Sequence, residues 1–241
     1  MFNKLREILA NATHIYNENS PAFRIYKNPY RFLFKPVYRL YGLLIRFEKT
    51  DMNNPASSIN NFIVESANQF RAMQGLQAHL DIHYSYIDLH AFRGNAGHLR
   101  YPFVIYYLIL IPIHMIFLPL MCIKGLQAIS VNCLIRISII FSVILAKFSF
   151  KRAYNITFAN DHSFLLRSLA EAFFIFGKNV SYVQHGPVGR HFPPLSCYKI
   201  CYLDGKNTLS IYREISNFNS DITTHLVGPV RLLSMASELQ C

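Results

Sequence analysis

Charged residues are scarce in this sequence. Lys, Arg, Asp and Glu make up 15% of its 241 residues, whereas roughly a quarter is usual in soluble domains. Hydrophobic residues make up 52%, which provides enough apolar surface to exclude a globally disordered chain. The protein therefore folds, and it is either unusually rich in core residues or in contact with a membrane.

Several catalytic signatures are missing as well. The sequence has no G-x-S-x-G nucleophile elbow, no G-x-x-x-x-G-K-[ST] phosphate loop and no H-E-x-x-H zinc motif. The G-x-G-x-x-G fingerprint is also absent, which disfavours an NAD-binding domain. No RNP, zinc-finger or helix-turn-helix signature occurs, so we expect no nucleic-acid partner. We expect neither a metal ion nor a cofactor.

The cysteines indicate a reducing compartment. There are five, an odd number, and the first residues lack the apolar region of a secretory signal. We therefore expect reduced thiols in a cytoplasmic setting. Cys197 and Cys201 are four residues apart with no histidine pair nearby, which favours small core residues over metal ligands.

Positive charge is concentrated near the start of the chain. The net charge is +11, and residues 1–50 contain nine Lys or Arg against three acidic residues, with aromatic residues between them. Such a stripe suits anionic lipid or an acidic glycan, although it is equally typical of a basic surface on an aromatic-rich fold. Residues 1–50 show no clear hydrophobic period, and residues 51–61 are typical of a polar linker. We assign 1–61 as a basic, aromatic N-terminal region.

Two long apolar stretches follow, which we assign as a hydrophobic helical pair over residues 102–147. The first, from Pro102 to Ile123, has no charged residue and would be roughly 33 Å long as a helix, enough to cross a bilayer. The second runs to Ala146 and contains Arg136. The pair could cross the membrane as a hairpin with its basic flanks on the cytoplasmic side. Alternatively, both helices lie in the core or dip into one leaflet, which Arg136 and the short turn favour.

The rest of the chain alternates between short apolar runs and helical segments. Residues 62–64 are typical of a buried strand, and a helix to about Leu80 and a strand over 82–89 follow. From 153 onward the pattern is strand 154–159, helix 164–176 closed by Gly177, strands 180–183 and 198–203, helix 207–215 and strand 225–227. This order predicts an α/β fold with a Rossmann-like parallel sheet. Its two parts are residues 62–101 and 153–230, with 231–241 as a tail.

Polar residues follow two successive strands of the predicted sheet. Asn160, Asp161 and His162 come after one strand, and Gln184, His185 and Gly186 come after the next. Ligands of open α/β sheets bind beyond the carboxyl ends of the strands, so we expect these loops to face one crevice. An imidazole beside a carboxylate can take a proton from a hydroxyl group. The alternative is structural, with His162 capping a helix and His185 bonded to buried carbonyls.

The segment after the second of these loops adds groups that suit an anion. The Gly186-Pro187 turn, with Gly189, exposes backbone amides, and Arg190 and His191 supply positive charge. We expect them to bind a phosphate or carboxylate of the substrate.

With these residues in view, a resemblance becomes apparent. The order of elements, with Asn160-Asp161-His162 and Gln184-His185-Gly186 followed by Phe192-Pro193-Pro194-Leu195 and Leu203-Asp204-Gly205, resembles the bacterial capsule and lipopolysaccharide glycosyltransferases of GT-B type. The resemblance implies the acceptor-side domain of such an enzyme at the cytoplasmic face of the inner membrane. It also implies a nucleotide-sugar donor, a glycan or lipid-linked glycan acceptor, and His185 or Asp161 as the base.

One departure from the family pattern is large. GT-B enzymes hold the nucleotide with a second Rossmann-like domain, and only thirteen residues follow Gly228. We therefore expect an acceptor half that does not transfer sugar on its own. The alternative is a non-catalytic membrane-associated protein that binds a glycan, a sugar nucleotide or a partner enzyme.

Overall fold

The computed structural model contains one seven-stranded sheet flanked by helices. The strands are β1 Asn60–Val64, β2 Ser85–Asp88, β3 Arg93–Gly94, β4 Asn155–Phe158, β5 Asn179–Val183, β6 Ile200–Leu203 and β7 Thr223–Leu226. The α-helices that the structure describes from end to end are α1 Pro29–Ile45, α2 Ala67–Leu80, α3 Arg100–Met121, α4 Gln127–Phe148, α5 Phe164–Ile175 and α6 Lys206–Ile215. The structure describes residues 3, 5, 6, 9, 28–45, 60–80, 84–90, 93–94, 96–123, 126–159, 163–190, 192, 194–215 and 221–230.

The strand order is β3-β2-β1-β4-β5-β6-β7. Six strands are parallel, and the two-residue β3 adds an antiparallel edge that the sequence did not predict. The chain builds outward from β1 in one direction and returns to pair β4 on the other side of β1. This reversal is the mark of a doubly wound, Rossmann-like sheet. The predicted α/β fold is confirmed, and the predicted strands and helices of 62–89 and 153–230 are present with their ends shifted by a few residues.

Asparagine side chains lock the register of the three central strands at their amino ends. Asn155 Nδ2 donates to Asn60 Oδ1 at 2.7 Å, and Asn179 Nδ2 donates to Asn155 Oδ1 at 3.0 Å. These residues open β1, β4 and β5 and face each other in the pairing register. Lys199 extends the row by donating from Nζ to Asn179 Oδ1 at 2.9 Å.

The predicted helical pair is present as α3 and α4, the crossover between β3 and β4. Both helices are long and apolar enough to cross a membrane by length and composition. In the fold, however, Phe103 of α3 and Ile139 of α4 are buried in the same core as Ile156 of the sheet. Only 22% of the apolar window of α3 is buried, against 56% for α4. The pair is therefore a layer of the domain, with α4 inside and α3 outside.

Helix α1 lies within residues 1–50, where the sequence shows no clear hydrophobic period. Asn28 caps it, since its Oδ1 accepts the backbone N–H groups of Tyr30 and Arg31 at 3.0 and 3.2 Å. Pro29 at the first helical position is favourable because the ring presets φ. At the other end Arg100 Nε donates to the Leu43 carbonyl at 2.9 Å. The Asn-Pro pair was the signal in the sequence, and the aromatic residues around the helix obscured its period.

The opposite face of the sheet is covered by α2. Its Met73 and Leu76 pack on Phe62 and Val64 in a second apolar cluster. Gly75 of α2 is required by a close approach, because a Cβ there would lie 2.0 Å from the carbonyl oxygen of Val230. The segment after β7 is thereby held against α2.

A buried ion pair anchors the long connection between β5 and β6. Arg167 of α5 is fully buried and donates from Nη2 to Glu171 Oε1 at 2.8 Å. The guanidinium also lies 5.4 Å from the centre of the Tyr198 ring, within that connection. A charge buried this deeply is tolerated only with its partner. The pair therefore holds Tyr198, near the end of this connection, against α5.

We expect Glu171→Gln to lower the free energy of unfolding by about 3 kcal/mol, because Arg167 would remain buried without a carboxylate. Glu214→Gln is the matched control. Glu214 pairs with Arg190 at 3.5 Å on the surface, where both side chains are more than half exposed, so the control should change stability by under about 1 kcal/mol. Urea denaturation of the two variants measures the difference, and equal effects would contradict the structural role of the buried pair.

Candidate functional site

Strands β4 and β5 end at the same edge of the sheet. The two strands pair in parallel with Phe158 opposite Tyr182, so their carboxyl ends are adjacent. Asn160, Asp161, His162 and His191 lie outside the described residues. Their proposed roles therefore stay predictions.

Gln184 has a structural task at this edge. Its side chain is 3% exposed, Nε2 donates to the Gly186 carbonyl at 2.9 Å, and Oε1 accepts the Asp204 backbone N–H at 2.8 Å. The carboxamide thus ties the loop after β5 to the end of β6. Both of its polar ends are engaged inside the protein.

The other predicted residues of this loop lie nearer the surface. His185 and Gly186 are partly exposed. The Arg190 side chain is 79% exposed, and its Nε lies 3.5 Å from Glu214 Oε2. His185 is thus a partly exposed titratable group of this loop, with its Nδ1 atom buried.

A second set of side chains, which the sequence analysis missed, meets between β1 and β4. They surround a cleft of about 70 Å³ at the switch point, where the strand order reverses. Doubly wound sheets bind their ligands at this position. The lining residues are Lys35 and Arg39 of α1, Glu65 after β1, Tyr106, Tyr107, Leu110 and His114 of α3, Leu134 and Ser138 of α4, and Ser163 and Leu165 at the start of α5.

The charges of this switch-point cleft come mainly from α1. Lys35 and Arg39 are one helical turn apart, so both can reach the same side of the helix. Glu65 faces them from the end of β1, and Arg39 Nη1 also contacts His90 Nδ1 after β2. Two cations and one carboxylate leave a net positive charge, which favours an anionic ligand.

His114 is the buried titratable group of the cleft. It is 3% exposed, and its Nδ1 lies 2.7 Å from the Leu110 carbonyl oxygen. A carbonyl only accepts, so Nδ1 carries the proton and Nε2 is the nitrogen that can gain one. Burial lowers the pKa of His114, and the bond to Leu110 only partly opposes that effect. The imidazole is therefore neutral at pH 7.

A hydrogen bond between α3 and α4 holds in place the part of the cleft lining that includes His114. Tyr106 Oη and Ser138 Oγ are 2.7 Å apart and join α3 to α4. The Tyr106 ring stacks on Phe141 at a centroid distance of 4.1 Å. These contacts fix the helix that carries His114.

An apolar pocket adjoins the switch-point cleft. It has a volume of about 120 Å³ and shares Arg39 and Tyr107 with the cleft. Its other lining residues are Tyr38, Tyr41, Gly42, Leu43, Ile45, Leu89 and His90. The site thus combines a cationic compartment with an aromatic one.

Metal ligands are not grouped in the part of the chain that the structure describes. No three His, Cys, Asp or Glu side chains are placed there to hold an ion. The chemistry available among these side chains is positive charge, the Glu65 carboxylate, hydroxyl groups and the imidazoles of His90, His114 and His185.

The loop after β5 contains two neighbouring residues for which we expect different roles, a structural role for Gln184 and an accessible position for His185. We expect Gln184→Ala to lower the free energy of unfolding by about 2 kcal/mol, because the Asp204 N–H and the Gly186 carbonyl would lose their partner. His185→Ala, at the next position, should leave the melting temperature nearly unchanged. If His185→Ala were the more destabilising of the two in thermal melts, His185 would be a core residue.

Comparisons with protein-family models, with characterised proteins and with solved structures find no match to this chain. The site is accordingly defined by its geometry and its chemistry.

Proposed function

We propose that the protein is a glycosyltransferase-like protein of bacterial surface-polysaccharide biosynthesis. The observation that carries the proposal is the cationic cleft at the switch point of a Rossmann-like sheet. A nucleotide sugar carries phosphate groups, and Lys35 and Arg39 are suited to bind them. The resemblance of the loops after β4, β5 and β6 to GT-B transferases supports the same class.

In this proposal the domain binds the acceptor as well as the phosphate groups of the donor. An acceptor hydroxyl must lose a proton as its oxygen attacks the sugar, and a neutral imidazole can take that proton. His185 and Asp161 are the residues that the resemblance assigns to this task. His185 is partly exposed at the carboxyl edge, as that role requires.

We further propose that the protein lies on the cytoplasmic face of the inner membrane as a monotopic protein. The outward side of α3 is an apolar stripe at helical spacing, with Ile105 58%, Ile109 52% and Ile116 70% exposed. The neighbouring α1 exposes Tyr30, Phe34, Tyr38 and Tyr41 in the same way. Water disfavours so large an apolar surface, whereas a lipid leaflet accepts it. The basic residues of α1 favour anionic headgroups.

A non-catalytic binding protein is the second candidate. The observation in its favour is that Gln184, part of the motif shared with the transferases, is engaged in hydrogen bonds within the protein. Such a protein would bind a glycan, a sugar nucleotide or a partner enzyme through the same cleft.

Nucleotide-sugar binding tests the proposal. We expect at least one of a panel of UDP-, GDP-, CDP- and CMP-sugars to bind the purified chain in calorimetry or saturation-transfer NMR. Lys35→Gln and Arg39→Gln should each weaken binding about tenfold through the loss of a charge-assisted hydrogen bond. Lys206→Gln, on exposed α6, is the matched control and should bind as the wild type does. Absence of binding across the panel would contradict the proposal.

Flotation with vesicles tests the membrane contact. We expect the full chain to float with vesicles that contain anionic lipid, and the triple variant Ile105→Ser, Ile109→Ser, Ile116→Ser to stay at the bottom of the gradient. Tyr154→Ser with Leu226→Ser removes two exposed apolar side chains outside the helical layer and should not affect flotation. A wild-type chain that remains monomeric and soluble without lipid or detergent would contradict this prediction.

A further inference from the structure

We propose that the switch-point cleft is a phosphate site in which Lys35 and Arg39 hold the anion and His114 takes up a proton when the anion binds. This inference deepens the proposed function and rests on it for the larger molecule to which the phosphate belongs. The site differs from the anion site that the sequence indicated, which consisted of the backbone amides of Gly186 and Gly189 with Arg190 and His191.

The position of His114 in the chain is the first argument. It lies near the middle of α3, in a stretch of 22 residues from Pro102 to Ile123 without any charged side chain. Ionisable residues in such apolar helices are expensive and usually have a functional reason. His114 also lines the cleft, together with Lys35 and Arg39.

The orientation of the ring is the second argument. The Leu110 carbonyl holds the proton on Nδ1, so the cleft contains an imidazole whose remaining nitrogen is the basic one. The ring stays in place because α3 is fixed to α4 through Tyr106 and Ser138. The arrangement therefore presets one tautomer before any ligand enters.

The surrounding charges explain why the proton arrives with the anion. The groups that face the cleft with His114 are Lys35 and Arg39 of α1, Glu65 after β1, Tyr106 and Tyr107 of α3, Ser138 of α4 and Ser163 of α5. In the absence of an anion, burial keeps the pKa of His114 low and the ring neutral. An anion beside the ring favours the charged imidazolium, so binding raises that pKa.

The start of α5 adds an electrostatic field that favours a bound anion. Ser163 occupies the cap position of this twelve-residue helix, and its side chain makes no capping hydrogen bond. Backbone N–H groups at a helix start favour negative charge. Phosphate would thus meet two side-chain cations, a third charge created on binding, and a helix terminus.

The pH dependence follows from linkage. Because the bound state holds one more proton, affinity rises as the pH falls from the raised pKa of the complex toward the lowered pKa of the empty site. If binding raises the pKa of His114 by one unit, the anion binds about tenfold more tightly at a pH below both pKa values than at a pH above them. We expect this increase between pH 8 and pH 6.

Sulfate is the probe, because it has the shape and charge of phosphate but does not itself titrate in this range. Calorimetry of the full chain with sulfate, in two buffers of different ionisation enthalpy, counts the protons taken up. We expect uptake of a substantial fraction of one proton at pH 7 by the wild type, and none by His114→Asn, which should also bind with the same affinity at pH 6 and pH 8. His79→Asn, on the exposed side of α2, is the matched control and should behave as the wild type does.

A direct measurement does not need a variant. Long-range ¹H–¹⁵N spectra of the wild type should show His114 protonated on Nδ1 alone without sulfate, and on both nitrogens with it. If His114→Asn fails to melt cooperatively, His114→Gln and these spectra provide the same test. Equal proton uptake by the His114 variant and the wild type, no uptake by the wild type, or no sulfate binding would overturn the inference.

Failure of this inference is distinguishable from failure of the proposed function. Sulfate contains neither nucleotide nor sugar. Proton uptake at His114 without binding of any nucleotide sugar would refute the transferase proposal and leave the phosphate site standing. Nucleotide-sugar binding without protonation of His114 would refute the phosphate site alone.

Discussion

The parallel pairing of β1 with β4 is the contact on which the rest of the structure depends. Ninety residues separate Val64 from Asn155. The segment between them contains α2, β2, β3, α3 and α4, and its path must return the chain to β1 for the two strands to pair. The pairing puts Glu65 and Ser163 at one edge and creates the switch-point cleft between them. It also makes α3 and α4 a crossover of the sheet, so their inner sides are part of the core.

The layer formed by α3 and α4 consequently contacts two environments, the core of the domain on one side and its exterior on the other. Toward the sheet, α4 buries side chains such as Leu134 and Ile139, while α3 turns most of its apolar surface outward. A hydropathy profile cannot separate these roles, because both helices have the same mean hydropathy of 2.2 over their most apolar windows. Only the tertiary arrangement shows that α4 lies inside and α3 outside. Among the polar residues of the layer, Tyr106, His114 and Ser138 line the cleft.

Sequence patterns predicted the sheet well and the cleft poorly. Alternation of strand and helix after residue 153 was clear because short turns and Gly177 punctuate it, and Gly177 has the positive φ of 70° expected of a helix cap. The adjacency of the loops after β4 and β5 followed from that order. Gln184 was predicted as a ligand residue, yet its partners Gly186 and Asp204 become neighbours only when β5 and β6 pair.

The cleft could not be found in the same way, since its residues come from α1, β1, α3, α4 and α5 and share no local motif. Lys35 and Arg39 lie in a segment whose period was obscured by aromatic residues on several sides. His114 lies in a stretch whose composition indicated lipid or core. Contacts between distant parts of the chain bring the cleft residues together, and the spacing of residues within a local segment does not predict such contacts.

The row of asparagines at the amino ends of β1, β4 and β5 has a consequence for synthesis on the ribosome. Asn60 emerges long before Asn155 and Asn179, so the row can close only after the whole apolar layer has been made. During that interval the inner sides of α3 and α4 have no sheet to cover them, and exposed apolar segments of this kind aggregate readily. A chaperone or a lipid surface that covers the layer before the last strands emerge would prevent this aggregation.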